Sequence, residues 1–290
     1  MSAAATRFVT SRSAATRSAA MRRVRVFGRL LGIEVVQTVQ YRGEFFLLQV
    51  RTMLVPIVSL VVWQAALAGG AQLPVTPAYL ATYFVFVSLV SMLTSSWTAG
   101  FLAESIRLGE LARWLVRPVS THLNGVANNV GEKIVKILLI SPLIVAVALA
   151  LGERVQVPSD PGRWVLFALS MMLAATMVYA SDVLVGALAF WFDEVAGFDR
   201  ARSLIVGVLS GATVPLALMP GWAGGVLAVQ PFRFTVSFPL EVLLGAGTGS
   251  GQLSSIGAGF AAQLGWTAVF VVSAAVVWRR GLRSYAAAGA

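Results

Sequence analysis

The sequence contains no cysteine, one histidine, two lysines and only twelve acidic residues among 290. Without cysteine there is no disulfide framework, no thiolate metal site and no cysteine nucleophile. A lone histidine, His122, cannot build a zinc site. No nucleophile-elbow motif accompanies it, which argues against a serine hydrolase. The lysines, Lys133 and Lys136, each precede isoleucine. A nucleotide-binding Walker loop needs Gly-Lys-Ser/Thr, so this chain cannot be a P-loop ATPase by itself. Charge of both signs is scarce: 12% of residues are charged, against about 25% in an ordinary soluble domain.

Apolar residues fill the gap, at 58% with a mean hydropathy of +0.81. They collect in six stretches, about 45–68, 78–100, 134–151, 164–190, 203–220 and 255–278. Each is near the length that a bilayer-crossing helix needs. The fold class expected is an all-α polytopic membrane protein. Pro56 and Pro142 fall inside spans, where a packed neighbour can satisfy the freed backbone. Residues 30–44 read as an amphipathic helix, with Leu30, Leu31, Ile33, Val35, Val36 and Val39 on one broad side. Such a helix lies in the interface or simply begins the first span.

The formal charge of +10 would suggest nucleic acid in a soluble protein. Its placement says otherwise. Alternating the segments between spans puts 19 of the 22 basic residues on one side; only Arg154, Arg163 and Arg233 fall on the other. The excess of Lys and Arg marks the cytoplasmic side, so both termini are expected in the cytoplasm and no nucleic-acid partner is needed. Residues 1–24, rich in Arg, Ser and Ala, read as a disordered cytoplasmic tail, with Met21 as a second usable start. Residues 25–285 read as one membrane domain and 286–290 as a short cytoplasmic tail.

The longest cytoplasmic loop begins Phe101-Leu-Ala-Glu-Ser-Ile-Arg107 and continues to Arg117-Pro118. Helical spacing pairs Glu104 with Arg107 and Glu110 with Arg113. Ile106, Leu108, Leu111, Trp114 and Leu115 supply an apolar face, and Pro118 stops the helix. Ser120 or Thr121 can cap a second helix, whose Leu123, Val126, Val130 and Ile134 keep one side into the third span. The basic elbow suits either a docking element for a soluble partner or a hairpin on anionic lipid headgroups. A second cytoplasmic loop carries Asp193 and Glu194. Residues 221–254 are apolar but punctuated by Pro231, Pro239 and glycines, which fits short broken helices rather than a straight span. Gly247–Gly251 reads as a linker. Asp182 lies well inside the fourth span; a buried acid there is a functional candidate by default or a partner in a structural hydrogen bond.

Four stretches carry a family resemblance. They are Tyr41-Arg42-Gly43-Glu44-Phe45; Gly109-Glu-Leu-Ala-Arg-Trp-Leu-Val-Arg117-Pro118-Val119-Ser120; the series from Leu188-Ala-Phe-Trp191 through Glu194, Gly197-Phe198, Ser210-Gly211, Val214-Pro215, Pro220, Pro231-Phe232 and Phe238-Pro239 to Leu243-Leu-Gly245; and Trp278-Arg-Arg-Gly-Leu-Arg-Ser-Tyr285. Taken in order, they resemble the small six-span permeases of the ABC-2-type exporters. Val119 stands where that pattern usually has Leu. The resemblance implies an interface helix, six spans and a coupling helix between spans two and three. It also implies short outer helices between spans five and six. The partners it implies are a separate ATP-binding subunit, which would bind ATP and Mg, and a second permease in a homodimer or heterodimer within a lipid membrane. This chain would bind no cofactor. The ATPase-coupling residues would be Glu104, Arg107, Glu110, Arg113, Trp114, Arg117 and Pro118, with Asp193 and Glu194 in the second loop. The chain is expected in the bacterial cytoplasmic membrane as an exporter subunit without catalytic residues of its own. The rival expectation is a secondary carrier or channel driven by an ion gradient through Asp182.

Overall fold

A computed structural model describes residues 24–117, 120–245 and 252–285. The expected Arg-rich tail, apart from residue 24, lies outside these residues. So do Pro118, the Gly247–Gly251 linker and residues 286–290. Every regular element among the described residues is helical. Helix α1 spans 24–40 and α2 runs Arg42–Ala68; α3 is Pro77–Thr94, α4 Thr98–Arg107 and α5 Leu111–Leu115. Then follow α6, Thr121–Leu151; α7, Pro161–Gly186; α8, Ala196–Leu209; α9, Gly224–Val229; α10, Ser237–Leu244; and α11, Gln252–Ser284.

Helix α3 is the central strut. Every residue from Leu80 to Ser88 is buried, the pattern of a helix enclosed on all sides by others. Tyr83, Phe84 and Val87 pack with Phe167 of α7 and with Leu240 and Leu243 of α10. The surrounding helices instead leave apolar side chains exposed: Leu138 and Leu149 on α6, Val165 and Met172 on α7, Val272 on α11. These faces have no use in water and suit lipid tails. Four helical stretches, Pro77–Arg107, Thr121–Arg154, Pro161–Phe190 and Ile256–Ser284, are long and apolar enough to cross a membrane.

Two expected spans take a different form. The stretch expected at 203–220 is α-helical only within Ala196–Leu209. Fourteen residues reach about 21 Å, short of the roughly 30 Å hydrocarbon core. The chain leaves the helix at Ser210, and Gly211 takes a φ of +88°. A Cβ at Gly211 would also collide with the hydroxyls of Ser237 and Tyr83, so only glycine suits this turn. The stretch expected at 78–100 is interrupted between Thr94 and Thr98. The segment from Leu216 to Leu244 is a run of short helical pieces, as its prolines and glycines require.

The amphipathic helix is present but its apolar side divides. Leu30, Leu31 and Val35 are half-buried, whereas Ile33, Val36 and Val39 are exposed. The covered side rests on α6, where Gly131 lets the backbone at Leu31 and Val35 come close and Asn128 donates to Glu34 at 2.7 Å. The free side is available to the lipid interface.

Candidate functional site

Helix α4 starts where α3 stops, and α5 follows after a turn at Gly109. Both are anchored from beneath. Ile106 and Leu111 are buried with Ala187, Phe190 and Trp278 in one apolar cluster. Phe190 stacks edge-on against Trp278 and Tyr285 at centroid distances of 5.5 and 5.8 Å. His122 meets the same Trp278 ring at 5.0 Å, which gives it a packing role. The expected apolar side is therefore only half used: Leu108 and Leu115 remain exposed.

The charged residues point outward. Glu104, Arg107, Glu110, Arg113 and Arg117 are all exposed. Glu110 and Arg113 form the expected pair at 3.1 Å, and Arg117 lies over the Trp114 ring at 4.3 Å. Glu104 and Arg107 do not pair with each other among the described ion pairs; both instead line a groove. That groove, of about 340 Å³, is walled by α4 on one side and by Asp193, Glu194, Asp199 and Arg200 on the other. The two loops singled out from the sequence thus meet across one cleft. Exposed Trp191, Phe192 and Phe198 flank its lining residues in sequence, the two phenylalanines 5.3 Å apart. Sequence reading placed no function on these rings. Their signal was three aromatics clustered around a loop rich in acids. Exposed aromatics suit either a protein contact or the membrane interface.

Asp182 is buried beneath this cleft, 1% exposed. It lines none of the cavities described among these residues. Arg202 Nη1 of α8 lies 2.8 Å from its Oδ1, an ion pair whose angle falls outside hydrogen-bond geometry. Its Oδ2 accepts from the Ala99 amide in the first turn of α4, at 3.4 Å. Arg202 also pairs with Asp199 at 2.7 Å. The expected local partners Ser181 and Tyr179 do not hold Asp182; Ser181 takes a bond from Arg202 instead, at 3.4 Å.

The lysines were counted as cytoplasmic loop charge. Both belong to the interior of α6. Lys136 is fully buried and pairs with Glu132 at 2.6 Å, and Lys133 bonds Asn129 and the backbone of Ser95. Removing two of nineteen leaves the charge asymmetry standing. Their spacing of three was the overlooked signal, since it puts both on one helix face. Among the described residues, no group of three or more His, Asp or Glu side chains is placed to hold a metal ion.

These features define a polytopic helical membrane protein with an exposed charged cleft at one end. The family model for ABC-2 family transporter proteins matches residues 74–289, and the chain belongs to that family. It is similar to the inner membrane transport permease YadH of Escherichia coli K12, at 28% identity over 123 residues. That match covers 42% of this chain and 46% of the relative; the same permease of Shigella flexneri matches to the same extent. The chain therefore spans about half the length of the curated relatives it matches. No solved structure matches it.

Proposed function

We propose that this chain is the membrane-spanning subunit of an ATP-driven exporter, in which a separate ATPase docks on the α4–α5 cleft. The observation that carries this is the cleft itself. Two sequence-distant loops meet around a groove lined by Glu104, Arg107, Asp193, Glu194 and Arg200, with exposed aromatic side chains adjacent in sequence. The chain has no Walker motif, so ATP and Mg would be bound by the partner. Closure of the ATPase would push on α4, and α4 would pass the motion to the spans. Family membership supports the ABC partner. A second permease, like or unlike, would complete the pathway.

The rival reading, an ion-gradient carrier working through Asp182, is less well supported. Arg202 balances that carboxylate, and the Ala99 amide occupies its other oxygen. The test is charge reversal on the exposed elbow. Arg113→Glu with Arg117→Glu should leave membrane insertion intact, lose the ATP-binding subunit on purification in mild detergent, and abolish ATP-dependent flux in vesicles. Retention of both the subunit and the flux would overturn the docking reading.

A further inference from the structure

The break between α3 and α4 occurs without the usual cause. The sequence there is Thr94-Ser-Ser-Trp-Thr98, with neither proline nor glycine. Sharp helix interruptions normally have one of these, or an inserted side chain. Ser95 is extended, with φ −55° and ψ 147°. The freed backbone groups are satisfied by charges from two other helices. At the end of α3, Lys133 Nζ donates to the Ser95 carbonyl at 3.1 Å, and Lys136 Nζ to the Ser95 hydroxyl at 2.7 Å. At the start of α4, the Thr98 amide donates to Ser96 Oγ at 3.3 Å and the Ala99 amide to Asp182 Oδ2 at 3.4 Å.

The signs match the helix dipoles. Cations sit at the carbonyl end of α3 and an anion at the amide end of α4, each where the terminal partial charge attracts it. Lys133 and Lys136 are the chain's only lysines. The break also abuts loose packing. A cavity of about 50 Å³ is lined by Gln49, Ser88, Ser91 and Ser95. Gln49 is 2% exposed, and its amide nitrogen has no partner among the described residues.

We propose that Ser95–Trp97 is a charge-clamped pivot, and that Lys133, Lys136 and Asp182 are positioning residues that hold α4 at its working angle. This rests on the reading of α4 as the element that receives the ATPase stroke. The local sequence is compatible with one continuous helix, and the buried charges select the broken form. Release of those charges would give the element a second arrangement, as transmission between distant sites requires. Arg202 extends the clamp to α8, so both walls of the cleft answer to one carboxylate.

The absence of cysteine makes the test direct. Phe101→Cys on α4 and Leu138→Cys on α6 replace exposed side chains and accept a pair of spin labels. Distances are read by pulsed electron spin resonance on the full chain in lipid nanodiscs, without the ATPase. The Lys136 arm of the clamp is removed by Glu132→Gln with Lys136→Met, which deletes a charge pair while keeping net charge and shape. The expected result is a shifted or broadened α4–α6 distance. A second label pair, Leu138→Cys with Met172→Cys, should be unmoved. With the ATPase added, the subunit should still co-purify while ATP-driven flux falls about tenfold, a typical coupling loss. An unchanged α4–α6 distance overturns the pivot, and so does equal broadening of the second pair, which would mean general loosening. The distance is read without the ATPase and the elbow reversal reads ATPase retention, so the two proposals can fail separately.

Discussion

The two ends of α3 carry charge in opposite ways. At one end, around α4, α5 and residues 193–200, the charged side chains are exposed and line an open groove. At the other, Arg233 and Glu241 face each other through two contacts, Nε to Oε1 at 3.2 Å and Nη2 to Oε2 at 2.5 Å, while a further guanidinium nitrogen donates to the Ala228 carbonyl. These charges also border a cavity, of about 260 Å³ with Tyr79, Tyr83 and Ser237 in its wall, but they are matched to one another. Exposed charge in a groove contributes little to folding and is free for recognition; matched, partly buried charge is satisfied internally, and removing one partner is costly. On the proposed reading the first end is left open to meet another protein, while the charges of the second are matched within this one.

The sharpest way to break that contrast is Arg233→Ala. It strands Glu241, and since both side chains are 22% exposed the loss is that of charge-assisted hydrogen bonds, about 2.5 kcal/mol. Thermal unfolding in detergent should show the loss, and adding Glu241→Gln should recover part of it. If Arg233→Ala melts like the parent, the matched end is not structural.

A smaller effect is expected at Gln263. This fully buried side chain of α11 accepts from Ser170 Oγ of α7, and its amide donates to the carbonyls of Ser170 and Phe234, each at 3.0 Å. It ties two spans to the broken segment. Gln263→Leu should cost about 2 kcal/mol, mostly from buried groups left unsatisfied. The loss should show as an earlier melt and as faster proteolysis within 210–244. A parent-like melt would mean that apolar packing alone holds that segment.

Much of this was legible from sequence because the bilayer imposes it. Long apolar runs gave α2, α3, α6, α7 and α11, and helical spacing with Ser120 gave the start of α6, whose Leu123 amide that serine accepts at 3.2 Å. The elbow residues were legible because they are exposed and grouped. What failed shares one physical cause. In α6, Val126 and Ile134 of the expected apolar side are exposed and Leu123 and Val130 half-buried, while the buried side holds Asn129, Gly131 and Lys136 beside Val135, Ile140 and Ile144. Lipid rewards apolar exposure, so a polar face can turn inward when its partners lie on another helix. The same reason hid the break at Ser95, the pairing of Asp182 with Arg202 and the early stop of α8. Each depends on residues tens of positions away, and local pattern carries no record of them.

The smallest effect on folding, and the one that sharpens the contrast most, belongs to the groove. Glu104→Lys with Asp193→Lys changes two exposed groove side chains, neither of which is ion-paired or hydrogen-bonded among the described residues. Surface substitutions of this kind stay within about 0.5 kcal/mol, so the melt should not move. Binding of the ATPase should fall. Recognition through exposed charge is screened when separations exceed a Debye length of about 8 Å at physiological salt. Retention of the ATPase by the parent should therefore weaken as salt is raised, and the variant should show a shallower dependence. The Arg233–Glu241 end has no such exposure, and its contribution to the melt should hold over the same range of salt. A salt-insensitive ATPase interaction would place its energy in Trp191, Phe192 and Phe198 instead, leaving the groove charges to set orientation alone.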